Sequence, residues 1–292
     1  MSGKIYSHID KIPSGSASRK VTEGCLVLEG GAFRGLYSQG FMDAMMKAGI
    51  NMQCTIGVSA GAMAGMNYVA GQIGRSARVN LRYRHDSRYV GIQAVRHNKG
   101  LIGFDFVFDG LKESDPFDGK RFFEPERRFV AVATNCLTGE ANYFEEKQDK
   151  NRVIDIVRAS SSLPIVCPIA YVDGIPMLDG GIVDSIPLQH AIDEGYKNNV
   201  VVLTRNRGYR KESKDIKIPS FVYRKYPKIR EALSHRCAVY NAQLEMVERM
   251  EDEGKIVVIR PQKPVVVDRI ERDIQKLTDF YQEGYECAKA IF

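Results

Sequence analysis

Residues Cys54–Gly65 read CTIGVSAGAMAG. CTIGV has the composition of a short buried strand, and the alanine-rich AGAMAGMNYVAGQIG after it that of a helix. Ser59 stands at the joint, with Gly57 two residues before it and Gly61 two after. G-x-S-x-G between a strand and a helix is the pattern of a nucleophile elbow. The reason is steric: the serine sits on a sharp, strained turn, and the flanking glycines let strand and helix approach closely. The helix N-terminus behind it also stabilises a developing oxyanion. The same five residues would equally suit a glycine–serine turn that merely opens a helix, so the pattern alone does not decide.

Working outward, CLVLEG from Cys25 reads as another buried strand, and GAFRGLYSQGFMDAMMKAGI as a turn into a helix. Gly40, Ala44 and Ala48 form a row of small residues expected to pack closely on a sheet. The order strand–helix–strand–helix implies a parallel sheet with right-handed crossovers. From about 75 to 128 helical and loop pieces mix with much arginine and glycine, as in a cap inserted beside the sheet. RRFVAVATNC and EANYFEE read as strands joined at LTGE, and RVIDIVRASSS as a helix. NVVVLTRN and KIVVIRP are later strands, and a long helix is expected at about Lys228 to Glu253. A terminal helix carries Ile270, Ile274, Leu277, Tyr281, Gly284 and Ala288 in one stripe, suited to a sheet or to a membrane surface. The division is then a flexible arm at 1–20, a catalytic domain at 21–204 and a helical extension at 205–292 whose one strand completes the same domain.

Two further motifs accompany the elbow. EGGAFRG, Glu29 to Gly35, is a glycine-rich turn at a helix N-terminus, which offers free N–H groups to an anion. It fits neither nucleotide fingerprint: Ala32 stands where a dinucleotide loop needs glycine, and Leu36 and Tyr37 follow Gly35 where a P-loop needs lysine and a hydroxyl. Beside a candidate nucleophile, the anion it suits is the oxyanion of an acyl intermediate. LDGGIVDSIP places Asp179 before Gly180 and Gly181, an ordinary D-G turn taken singly and a candidate base beside a serine.

In order and spacing, GGAFRG, GVSAG and DGG together resemble the patatin-like phospholipase family. RASSSLPIVCP and DSIPLQHA are similar to what that family carries around its aspartate. The resemblance covers about Cys25 to Glu194. It implies a three-layer α/β/α sandwich with a mainly parallel sheet and a Ser–Asp dyad, with Ser59 as nucleophile and Asp179 as base. It also implies an oxyanion hole in the backbone of Gly30, Gly31, Ala32, Phe33, Arg34 and Gly35, with Gly31 and Ala32 as leading donors. Ala32 departs from a frequent family glycine, and a positive φ there would be costly. The substrate implied is a lipid ester, cleaved without metal or cofactor.

One rival enzyme is a Ser–His–Asp hydrolase using His190 or His235, both on expected helices. A non-enzyme rival is a lipid- or acyl-binding regulator. With 44% hydrophobic and 27% charged residues and a mean hydropathy of −0.27, the chain reads as a folded soluble protein. Its net charge of +6 permits contact with anionic surfaces without demanding nucleic acid, and no nucleic-acid motif is present. The six cysteines are scattered, with no C-x-x-C pair, as expected of free thiols in a reducing compartment. The N-terminus lacks the apolar core of a signal peptide. These features predict cytoplasmic residence. The basic stretches 75–99 and 205–217 read either as sites of peripheral contact with an anionic membrane or as solvated surface.

Overall fold

The computed structural model describes residues 9–98, 100–212 and 222–292. The apolar runs become strands because each needs partners on both edges and cover on both faces. Thr22–Leu28 (after Gly15–Ser16, β1, this is β2), Met52–Val58 (β3), Gln72–Ile73 (β4), Arg128–Asn135 (β5) and Ala141–Glu145 (β6) form the first half. Ala170–Val172 (β7), Ile175–Asp179 (β8), Asn199–Val202 (β9) and Val257–Ile259 (β10) follow. One sheet runs β10-β9-β2-β3-β5-β8-β7, with β6 also on β5. The five strands from β10 to β5 are parallel, while β6, β7 and β8 are antiparallel to their neighbours.

Helices cover both faces: Gly35–Lys47 (α1), Ala60–Val69 (α2), Arg75–Arg82 (α3), Ile92–Asn98 (α4), Gly119–Phe122 (α5), Lys150–Ser160 (α6), Leu188–Asp193 (α7), Pro227–Asp252 (α8) and Ile274–Lys289 (α9). Alternation along β2 divides the core. Leu26 and Leu28 join α1, α2, α6 and α9 on one face. Cys25 and Val27 join α7 and α8 on the other. The result is the expected α/β/α sandwich.

Three details differ from the sequence reading. The arm is not loose from residue 12 onward: β1 pairs with β4, Ile12 and Ala17 are buried, and the Asn51 amide donates to Lys20 O at 3.0 Å. Residues 1–8 lie outside the described residues. The small-residue row of α1 meets a helix, α9, at Gly40, where the Tyr281 carbonyl leaves no room for a side chain. Ile270 precedes α9 and is exposed, while Leu277, Tyr281 and Ala288 are buried, so the stripe is committed to internal packing.

The segment between β4 and β5 forms a helical cap over α1 and α2. Arg75 pins it: only 1% exposed, it donates to Asn67 Oδ1 at 2.8 Å, Asp115 O at 3.0 Å and Val107 O at 3.2 Å. Arg78 pairs with Asp115, and Arg84 donates to Ile270 O at 2.7 Å while its guanidinium lies 4.2 Å from the Phe33 ring centre. Arg75 and Arg84 of the basic stretch 75–99 therefore face inward, while Arg82, Arg88 and Arg96 are exposed. Of the stretch 205–217, Arg207 and Arg210 pair with acids of α8, and residues 213–217 lie outside the described residues.

Candidate active site

Strand register brings Ser59 and Asp179 together. β3 pairs with one edge of β5 as far as Val58 opposite Val132. β6 occupies the other edge, from Val130 to Thr134. β8 pairs with Ala133 to Asn135, so it must lie on the edge that β3 has just vacated. β3 and β8 thus run toward each other along one edge of β5. Ser59 leaves β3 one step beyond Val58, and Asp179 ends β8 opposite Ala133. Gly180 lies so close to the Val132 carbonyl that no Cβ would fit.

Ser59 has φ 55° and ψ −121°, a conformation that costs an L-residue on the order of 1–3 kcal/mol. The surroundings enforce it. A Cβ on Gly57 would lie 2.7 Å from Ala62 N, and one on Gly61 2.6 Å from Leu28 O. The Ser59 N–H donates to the Ser160 hydroxyl at 2.9 Å, which ties the elbow to the end of α6.

Asp179 is 2% exposed. Its Oδ1 accepts the Gly181 N–H at 2.8 Å. Its Oδ2 is buried without a fully formed hydrogen bond. Burial pushes the carboxyl above the usual carboxylate range. The Ser59 hydroxyl, Arg236, the Gly181 amide and Arg269 pull it down by less. A carboxylate short of one partner, facing a strained serine, is poised to take a proton.

The glycine loop closes the third side. A Cβ on Gly30 would lie 3.0 Å from Ser59 Cβ. Of the six residues expected to supply oxyanion donors, three have their amides engaged: Phe33 N donates to Arg269 O, Arg34 N to Gly31 O, and Gly35 N to Ala32 O and Phe33 O. The amides of Gly30, Gly31 and Ala32 have no partner among the described residues, so the donor set narrows to these. Ala32 does take a positive φ, 50°. Ala32→Gly is therefore expected to raise stability by about 1 kcal/mol in chemical denaturation. A loss instead would show that the methyl's packing outweighs the backbone strain.

Two residues of the site were not singled out in the sequence. Ser160 is hidden in a run of three serines. Glu29 is 2% exposed and accepts from Thr204 N at 2.6 Å, Thr204 Oγ1 at 3.0 Å and Tyr240 OH at 2.7 Å. It moors the glycine loop to β9 and α8. A lone acid closing an apolar strand was the readable signal, since glutamate is seldom buried without partners.

Two recesses meet at Ser59, Ala32 and Leu163. One, of about 510 Å³, is walled by Phe33, Met63, Tyr89, Leu101 and Ile102. The other, of about 390 Å³, holds Asp179 and a group of basic residues. Among the described residues no histidine lines either. His190 stacks on Tyr143 with ring centres 3.6 Å apart, and His235 bonds to the Glu231 carbonyl of its own helix. No described group of His, Cys, Asp and Glu side chains could hold a metal ion.

An α/β/α sandwich with a strained serine at a strand–helix elbow, a buried aspartate and a glycine loop defines a class of protein. The model of the patatin-like phospholipase family matches residues 26–192, and the chain belongs to that family. A domain of unknown function (DUF6363) matches residues 226–292. The chain is 30% identical over 184 residues to the uncharacterised protein YjjU of Escherichia coli, covering 61% of this chain and 51% of that protein. It is 26% identical over 182 residues to a cGAMP-activated phospholipase of Pseudomonas aeruginosa, covering 56% and 53% respectively. The chain thus spans about half the length of these curated relatives. The crystal structure of VipD from Legionella pneumophila superposes at a TM-score of 0.49 with 14% identity, covering 95% of this chain and 67% of that one.

Proposed function

We propose that the protein is a serine acyl hydrolase that cleaves carboxylic esters of lipids through a Ser59–Asp179 dyad. The observation that carries this reading is the meeting of β3 and β8 on one edge of β5. It presents the serine to the carboxylate beside three unengaged amides. Ser59 Oγ attacks the ester carbonyl as its proton passes to Asp179. The tetrahedral oxyanion rests on the amides of Gly30, Gly31 and Ala32. The alcohol leaves with the proton from Asp179, giving an acyl-serine. Asp179 then takes a proton from water as the water attacks, and returns it to Ser59 Oγ as the acyl–serine bond breaks and the acid is released. The apolar recess suits the acyl chain. Among the described residues no helix is long and apolar enough to cross a membrane.

A fluorophosphonate, which phosphonylates activated serines, tests the reading. One phosphonyl group is expected on the peptide containing Ser59, with hydrolysis of nitrophenyl and lysolipid esters lost in step. A folded protein that hydrolyses no ester and carries no label at Ser59 would overturn it.

A further inference from the structure

The polar recess has an unusual charge. Arg34, Lys211, Arg236 and Arg269 line it with only two acids, Glu29 and Asp179. Glu29 is held by Thr204 and Tyr240, and Asp179 by Gly181. None of the four cations forms an ion pair among the described residues. Arg34 is 5% exposed with its Nε unpartnered. Arg236 donates to the Gly181 carbonyl at 2.8 Å. The Lys211 ammonium lies 3.3 Å from the Tyr240 ring centre. Arg269 is held by its backbone, whose carbonyl accepts from Phe33 N at 3.1 Å. Burial first, then the nearby Arg236 and Arg269, pull Lys211 down to about 7. Burial first, then the nearby Arg205, pulls Arg34 down to about 10. Arg34 is buried, Lys211 and Arg236 are half-buried and Arg269 is exposed at the edge of the recess; four cations facing two acids repel one another, and a bound dianion would relieve that repulsion.

We infer that Arg34, Lys211, Arg236 and Arg269 form a subsite for a phosphomonoester on the leaving-group side of the scissile ester. The inference rests on the hydrolase reading above. Three of its four cations come from beyond the matched patatin-like segment. Lys211 lies between the two matched regions, and Arg236 and Arg269 lie in the domain of unknown function. That domain would thereby supply the headgroup side of the site, while the patatin-like segment supplies the chemistry. A quaternary ammonium finds no accessible carboxylate among the described residues of the recess, because Glu29 and Asp179 are each only 2% exposed. The favoured substrate is an acyl glycerol phosphate, cleaved by water to fatty acid and glycerol phosphate, rather than an acyl glycerophosphocholine or a neutral acylglycerol.

The test compares kcat/KM on lysophosphatidate, lysophosphatidylcholine and monoacylglycerol of one chain length. The native protein is expected to prefer lysophosphatidate at least 30-fold. Arg269→Gln and Lys211→Gln should each cut that ratio about tenfold, with Arg269→Lys retaining most of it. Glycerol phosphate and inorganic phosphate, titrated calorimetrically into the Ser59→Ala protein, separate headgroup from free anion. Tighter binding of glycerol phosphate, weakened in Ser59→Ala/Arg269→Gln, supports a headgroup site. Equal binding of both, with no preference among the lipids, overturns it. Hydrolysis of all three lipids at similar rates overturns the subsite and leaves the hydrolase standing. Glycerol phosphate binding without hydrolysis of any ester supports the subsite and overturns the hydrolase.

Discussion

Asp179→Asn is expected to lower kcat for ester hydrolysis about 10⁴-fold, the upper range for loss of a sole general base. The asparagine oxygen still accepts the Gly181 N–H, now 2.8 Å from Oδ1, so the turn is kept while the base is lost. Ser59→Ala should fall as far, and the double variant no further, because the two groups act on one proton. The carboxyl is raised chiefly by burial. The acid limb of the pH–rate profile should therefore lie above the usual carboxylate range, since the base must be ionised. The same shift fixes the sign for stability. A group whose folded pKa is raised stabilises fully below its unfolded value, about 3.9, and loses that contribution as pH rises through the folded value. At pH 7 the buried charge costs stability that the asparagine variant does not lose. The variant should unfold at higher denaturant than the native protein at pH 7 and at the same concentration near pH 3. An unchanged rate would remove Asp179 from the mechanism.

Much of the site was legible because its motifs are local. A serine between two glycines, a glycine turn and a D-G-G each declare themselves within seven residues. Their meeting was not legible, since it depends on the register of three strands. Nothing in IPMLDGG says that β8 runs antiparallel and ends where β3 stops. The glycine loop shows the same limit at finer scale. The family resemblance made all six amides candidates, but the spent ones are spent on Arg269 O and on the loop's own turn. The cations are less readable still. Lys211, Arg236 and Arg269 stand far apart in the chain, each in a stretch rich in charge, and only the packing of α8 and of the segment before α9 on the glycine loop gathers them. Gly40 was readable as a close contact, but not its partner, because a small residue on a helix accepts a strand or another helix equally well.

That partner sets the second large effect. Gly284→Ala is expected to destabilise the protein by about 3 kcal/mol, the upper range for a methyl forced into a packed core. A Cβ at Gly284 would overlap the Tyr37 carbonyl of α1, and one at Gly40 the Tyr281 carbonyl of α9. The helices therefore touch backbone to backbone, and neither obstacle is a side chain that can swing away. Moving α9 outward would part the Tyr37 and Phe280 rings, 5.4 Å apart, and the Tyr281 hydroxyl from Asp43 Oδ2, at 2.8 Å. Asp43 also accepts the Gly74 N–H at 2.7 Å. Burial raises its carboxyl to about 7, with the Gly74 amide and the Tyr281 hydroxyl opposing by less. Its contribution is full below about 4, the unfolded value, and is lost as pH rises through about 7. The dock should be tighter at pH 6 than at pH 8, and Asp43→Asn should flatten that difference. Guanidinium denaturation of the native protein, Gly284→Ala and Asp43→Asn at both pH values reads all of this. Native-like stability of Gly284→Ala would mean that the helices can separate freely. Activity should follow, because the segment leading into α9 carries Arg269, whose carbonyl holds Phe33 N. Loosening α9 would release the glycine loop from its outer side and draw a cation from the polar recess.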